Sequence, residues 1–161
     1  MRATLHADGG ARGNPGPAAI GVVLRDSAGA DLGAVSRTIG ETTNNVAEYR
    51  AVIEGLRLAL ERGVTDIEVR LDSKLVVHQL EGEWKIKSEA LRGLAVEARR
   101  LLNRFESAAL DHVPRSQNAD ADKLVNQALD GELVDELGSQ WMPPDDDDRP
   151  KPGPGQTSLL D

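Results

Sequence analysis

Apolar residues first recur along the chain in stretches that suit strands. Arg2 to Asp8, Ala18 to Asp26 and Asp31 to Ile39 are β-rich, and Asp26-Ser27-Ala28-Gly29-Ala30 between the last two has the composition of a hairpin turn. The period then lengthens. Tyr49, Val52, Ile53, Leu56, Ala59 and Leu60 fall on one face of a helix from about Asn45 to Arg62, with Gly63 as its stop. From Asp66 to Asp72 the chain alternates again, Ile67, Val69 and Leu71 inward and charges outward, as a half-buried strand does. Helical patterns follow at Ser73 to Glu81 and Ser88 to Arg104, then a strand from Glu106 to Val113 and a last helix from about Asn118 to Leu137. The order βββαβααβα predicts an α/β fold. An antiparallel meander and strands linked through helices in parallel should form one mixed five-stranded sheet with helices on both faces. No internal repeat is present.

Composition adds a boundary. The 161 residues carry a net charge of -8, but residues 1–127 hold 17 Lys and Arg against 18 Asp and Glu, so nearly all the excess acid lies beyond them. From Trp141 onward come five of the eight prolines and a run of four aspartates, a composition that cannot bury enough apolar surface to offset ordering entropy. A folded domain over 1–137 and a disordered or linker tail over 138–161 are expected. Cysteine is absent, which excludes disulfides, zinc-thiolate centres and a thiol nucleophile. Only four aromatics are present, so the core must be aliphatic and a multi-aromatic base-stacking platform is excluded. The chain opens without a signal-like apolar run and never approaches the roughly 20 apolar residues of a membrane span. A soluble, cytoplasmic, monomeric protein with no membrane partner is expected.

Four carboxylates hold privileged places. Asp8 and Asp72 end strands one and four, Glu48 lies in the first turn of the first long helix, and Asp122 lies at the start of the last. If those strands are parallel neighbours, Asp8 and Asp72 emerge at one edge roughly 5 Å apart. Unpaired carboxylates that close repel, and a divalent cation removes the conflict. Hard oxygen donors favour magnesium or manganese over zinc. Each acid also has a structural explanation: capping-box spacing from Asn45 to Glu48, an N-cap at Asp72, and a favourable helix N-terminus for Asp122.

The words around these acids resemble ribonuclease H type 1. Asp8-Gly9-Gly10-Ala11-Arg12-Gly13-Asn14-Pro15-Gly16-Pro17-Ala18, Asn44-Asn45-Val46-Ala47-Glu48-Tyr49, Leu71-Asp72-Ser73-Lys74 and Asn118-Ala119-Asp120-Ala121-Asp122-Lys123-Leu124-Val125-Asn126 are similar to that family's four motifs, in order. The resemblance implies a ribonuclease H-like fold over about residues 1–137. It also implies an endonuclease that cuts the RNA strand of RNA/DNA hybrids to 3′-hydroxyl and 5′-phosphate ends, with Asp8, Glu48, Asp72 and Asp122 holding two Mg2+ and Mn2+ as a substitute. Gly9, Gly10, Gly13, Asn14 and Gly16 read as a loop after Asp8 that approaches sugar or phosphate, the alternative being an ordinary hairpin turn. Asn14, Asn44 and Asn45 resemble family residues that touch the minor groove, Asn45 doubling as helix cap. Ser73, Lys74, Trp84, Lys85 and Lys87 are expected to face the DNA strand. The connection after Trp84 is short and lacks the extra basic helix of several family members, so salt-sensitive hybrid binding is expected.

The family's flexible histidine has two counterparts. His112 precedes Asn118 by a similar distance but falls in the last strand. Arg115, in the loop Pro114-Arg115-Ser116-Gln117, resembles the arginine of some branches and is preferred; it cannot act as a base near neutral pH, so its part would be electrostatic. His6 and His78 read as surface or packing residues. A non-catalytic binding module for hybrid or double-stranded RNA is disfavoured by the intact acids, and the nuclease half of a longer fusion with a phosphatase domain stays open. At the tail's end Gln156-Thr157-Ser158-Leu159-Leu160-Asp161 resembles a peptide that docks on the bacterial sliding clamp, through Gln156, Leu159 and Leu160; incidental leucines are the simpler explanation.

Overall fold

The computed structural model describes residues 1–131. The expected extension of the last helix to Leu137, the tail over 138–161 and the peptide containing Gln156, Leu159 and Leu160 lie outside the described residues. Within them the elements are β1 (Arg2–Ala11), β2 (Gly16–Asp26), β3 (Asp31–Thr42), α1 (Asn44–Glu61), β4 (Asp66–Leu71), α2 (Lys74–Leu80), α3 (Glu89–Leu102), β5 (Ser107–His112), a 3-10 turn (Arg115–Asn118) and α4 (Ala119–Leu129). The sheet order is β3-β2-β1-β4-β5. β1, β2 and β3 form the antiparallel meander, while β4 pairs in parallel with both β1 and β5. The mixed five-stranded sheet with helices on both faces is the architecture expected.

Boundaries moved for physical reasons. β1 does not end at Asp8 but continues through Gly9 and Gly10 to Ala11, pairing there with Ala18, Ala19 and Ile20 of β2. The expected glycine loop therefore shrinks to residues 12–15, where Gly13 has φ +97° and the Asn14–Pro15 bond is cis. β3 likewise runs on to Thr42, and the first helix is capped two residues earlier than Asn45. Thr43, still extended, accepts the Val46 amide at 3.3 Å. Ser73, not Asp72, caps α2 by accepting from Val76, and Ser88 caps α3 by accepting from Leu91. Asp72 thus keeps its carboxylate free. At the other end α4 stops at Leu129, where Asp130 caps it and Gly131 takes φ +75°.

The main core lies between the sheet and α1, α2 and α3. Leu5, Ile20, Val22, Leu24, Tyr49, Val52, Ile53, Leu56, Val69, Leu71 and Val76 are buried there. Each buried branched aliphatic is worth about 1.5–3 kcal/mol of transfer free energy, which is how a core with so few aromatics holds. Among the described residues α4 covers the opposite face, Val125 and Ala128 packing on Ala19. That thin packing brings the α4 backbone close to the sheet.

Candidate active site

β4 stops at Leu71 while β1 continues to Ala11, which leaves a notch in the middle of the sheet. The parallel register from Arg2↔Asp66 to His6↔Arg70, continued two residues, sets Asp72 beside Asp8. Glu48 approaches from the α1 face, and carboxylate oxygens of Asp8, Glu48 and Asp72 all lie within 4.8 Å of one another. From α4, on the other face, Asp122 reaches the same cleft and helps to raise the Asp8 carboxyl pKa.

Two glycines on either side of this meeting point set how near the helices come. A Cβ on Gly9 would stand 2.2 Å from the Ala47 carbonyl oxygen, and one on Gly21 would stand 2.2 Å from that of Ala121. Ala47 precedes Glu48, Ala121 precedes Asp122, and Gly21 is the cross-strand partner of Asp8. Bare backbone at both positions lets each helix deliver its acid to the same spot. The Gly9 backbone amide also opposes the rise of the Glu48 pKa.

The electrostatics are those of negative charge out of place. Burial, then the Asp72 charge, push the Asp8 carboxyl up to about 8. Burial and the charges of Asp8 and Asp72 hold Glu48 well above the usual carboxylate range. Asp72 is raised as well, by burial first, with Arg115 opposing. Arg115 sits on the 3-10 turn, 80% exposed, its guanidinium 3.6 Å from Asp122. Among the described residues the buried polar side chains are Asp8, Gln79 and Asn118, so no buried cation neutralises the acids. Three hard oxygen donors with depressed tolerance for their own charge fit a divalent cation such as Mg2+.

Asp8, Gly9, Gly10, Asn44, Glu48, Asp72, Arg115 and Asp122 line one open cleft of about 460 Å3. Five further lining residues, Ala11, Arg12, Val125, Asn126 and Leu129, carry no sequence-based assignment. Arg12 closes that side by pairing with Asp130 at 2.7 Å. Asn14 stands just outside: its side-chain oxygen accepts the Asn44 amide at 2.9 Å, and the Asn44 oxygen accepts the Ala11 amide at 2.8 Å. Both side chains consequently turn their NH2 groups outward as donors. Asn45 is exposed and outside the cleft. Ser73, Lys74, Trp84, Lys85 and Lys87 lie apart from the cleft, on the start of α2 and on the connection to α3. Trp84 is 45% exposed and stacks on His78 at 4.5 Å.

His112 ends β5, exposed, and its charge lowers the Asp72 pKa slightly. Asn118, the first residue of the fourth motif, has a part of its own. It is buried, donates to the Ala7 carbonyl at 2.9 Å and meets His6 Nδ1 at 3.1 Å, which ties the 3-10 turn and α4 to β1 next to Asp8. A second group of possible ligands, His78, Glu81 and Glu83, is accounted for by the exposed His78–Glu83 hydrogen bond at the end of α2.

Residues 6–128 match the family model described as Reverse transcriptase-like. The bifunctional protein Rv2228c of Mycobacterium tuberculosis is 46% identical over 131 residues, which cover 81% of this chain but 36% of that protein. This chain therefore spans about a third of such relatives. The crystal structure of RNase H1 from Halobacterium salinarum is 46% identical, with a TM-score of 0.80, covering 82% of this chain and 100% of that one. LC11-RNase H1, solved in complex with an RNA/DNA hybrid, is 42% identical with a TM-score of 0.76, over 80% of this chain and 97% of that one.

Proposed function

Because the chain belongs to the ribonuclease H type 1 family, we propose that it is an endonuclease that hydrolyses the RNA strand of RNA/DNA hybrids, leaving 3′-hydroxyl and 5′-phosphate ends. The observation that carries this is the convergence of Asp8, Glu48, Asp72 and Asp122 from four elements on one notch, with the first three all raised in pKa. Those four would hold two Mg2+ ions, with Mn2+ as a substitute. Bound there, the ions would supply charge neutralisation, a more acidic attacking water and stabilisation of the departing 3′-oxygen. The protein's own part is to keep the acids converged through the Gly9 and Gly21 contacts, so that no reorganisation is needed when substrate arrives. Arg115, beside Asp122, places a mobile positive charge where a cleaved phosphate would leave.

Recognition follows from the donors. The NH2 groups of Asn14 and Asn44 suit acceptors in a minor groove, where 2′-hydroxyls distinguish RNA from DNA, and Asn45 lies beside them on the exposed start of α1. Gly9 and Gly10, within strand β1, line the cleft with backbone that is assigned to the sugar-phosphate chain, Gly10 offering the open side and Gly9 being packed on Ala47. Ser73, Lys74, Trp84, Lys85 and Lys87 are assigned to the DNA strand, lysines to phosphate and the indole to deoxyribose. The bare site carries four acids, so phosphate is repelled without metal.

The test is cleavage of labelled RNA/DNA hybrid, RNA/RNA, DNA/DNA and single-stranded RNA, each with Mg2+ or chelator. Wild type should cut the hybrid only with metal, and Asp8→Asn or Asp72→Asn should abolish cutting while circular dichroism stays unchanged. Undiminished activity in both variants would overturn the assignment. The coverage of Rv2228c supports a second reading of context alone, that this nuclease unit works within a longer bifunctional chain.

A further inference from the structure

Eight residues, 81–88, connect α2 to α3 without regular structure, and nearly all are exposed. An exposed irregular segment ordinarily samples many conformations. Here its backbone is held from below. Glu83 and Trp84 both donate their amides to the His78 carbonyl, at 2.8 and 3.3 Å. Arg92 of α3 donates to the carbonyls of Ile86 and Lys87 at 2.9 and 3.1 Å. The Lys85 carbonyl is taken by the side-chain NH2 of Gln79 at 3.3 Å.

Gln79 is the one buried member of this set, and it has a second partner. Its Oε1 accepts from the Tyr49 hydroxyl at 2.7 Å, and Tyr49 is fully buried and adjacent in sequence to Glu48. An amide is bifunctional, oxygen at one end and NH2 at the other, so the hydroxyl that occupies the oxygen decides which way the NH2 points. It points at Lys85. The backbone oxygen of Gln79 is in turn held by Arg99 of α3 at 2.5 Å. The chain Tyr49–Gln79–Lys85 thus runs from the helix that bears a metal-binding acid to the segment that bears Trp84, Lys85 and Lys87.

We infer that Gln79 is a positioning residue for hybrid binding: through the Lys85 carbonyl it fixes the 84–87 segment in a single conformation at a set distance from the acidic notch, without touching substrate itself. This rests on the assignment of Lys85 and Lys87 to the DNA strand. The physical benefit is preorganisation. A short segment with two lysines and one indole makes few contacts, and those contacts yield more affinity when the segment is ordered before binding.

The experiment measures kcat and KM for a hybrid with full-length Gln79→Met, Tyr49→Phe, Lys85→Ala, Lys87→Ala and the combination of Gln79→Met with both lysine changes. Methionine keeps the length of Gln79 and removes both its hydrogen bonds; Tyr49→Phe keeps the amide and frees it to turn. Expected are a KM raised about three- to tenfold in Gln79→Met, a smaller rise in Tyr49→Phe, kcat within about twofold of wild type, and little further rise when Gln79→Met is added to the double lysine variant, as for groups acting through one unit. Unchanged KM in Gln79→Met and Tyr49→Phe, a fall in kcat instead, or full additivity with the lysine changes would overturn the inference while leaving the nuclease assignment standing. If the lysine variants themselves leave KM unchanged, the DNA-strand assignment fails and this inference with it, whatever Gln79→Met does.

Discussion

Asp8 is buried, crowded by other acids and holds a proton far more tightly than a free aspartate. Below about pH 4 the folded and unfolded chains both carry that proton. Between the ordinary value of 3.8 and about 8 the unfolded state releases it first, so the metal-free protein should lose stability as pH rises through this window. Thermal melts in chelator should show Tm falling from pH 5 to pH 8. Adding Mg2+ should raise Tm more at pH 8 than at pH 5, and Asp8→Asn should flatten both trends. A second expectation concerns the 3-10 turn. Arg115→Ala should lose turnover at least tenfold with Mg2+ binding by calorimetry retained, whereas His112→Ala should lose little; the reverse would place the mobile charge at β5. The meeting of the four acids was legible in the sequence because each lies inside a recognisable local word. The contacts of Asn118 and Gln79 were not, because their partners lie 111 and 30 residues away, and an Asn or Gln carries no local sign of what it will meet.

Among the elements, strands and helices were legible from hydrophobic period, and their ends were not. Gly9 and Gly10 look like turn residues in a one-dimensional pattern, yet both are strand residues, and Gly9 is kept small so that α1 can lie against β1. Pairing energy with β2 outweighs their weak strand preference. Gly21 has the same logic for α4, and it is the sharper test because it lies in the middle of a strand where glycine has no turn to serve. Gly21→Ala should push α4 outward and reduce hybrid cleavage at least tenfold, with the Mg2+ concentration for half-maximal rate moved upward. Combining it with Asp122→Glu should recover part of the loss, since a longer side chain spans the added gap. Gly93 on α3 faces open space, so Gly93→Ala should leave cleavage unchanged and add about 0.5–1 kcal/mol to stability by denaturant titration.

At the scale of the whole molecule, the notch has a consequence for self-association. β1 is the central strand, but from Asp8 to Ala11 it has no β4 neighbour, so an unpaired strand edge opens in the interior of the sheet. Unpaired edges invite another chain to add a strand. Two side chains already discussed face that edge: the Asn44 carboxamide oxygen accepts the Ala11 amide at 2.8 Å, and the Glu48 carboxylate feels the Gly9 amide, which lowers its pKa. The acids and amides of the cleft therefore also act as a plug against intermolecular β-pairing. Asn44→Ala combined with Glu48→Ala should leave the edge amides open, and light scattering during incubation near Tm should grow faster than for Asp72→Asn, which removes charge from the same notch without uncovering the strand.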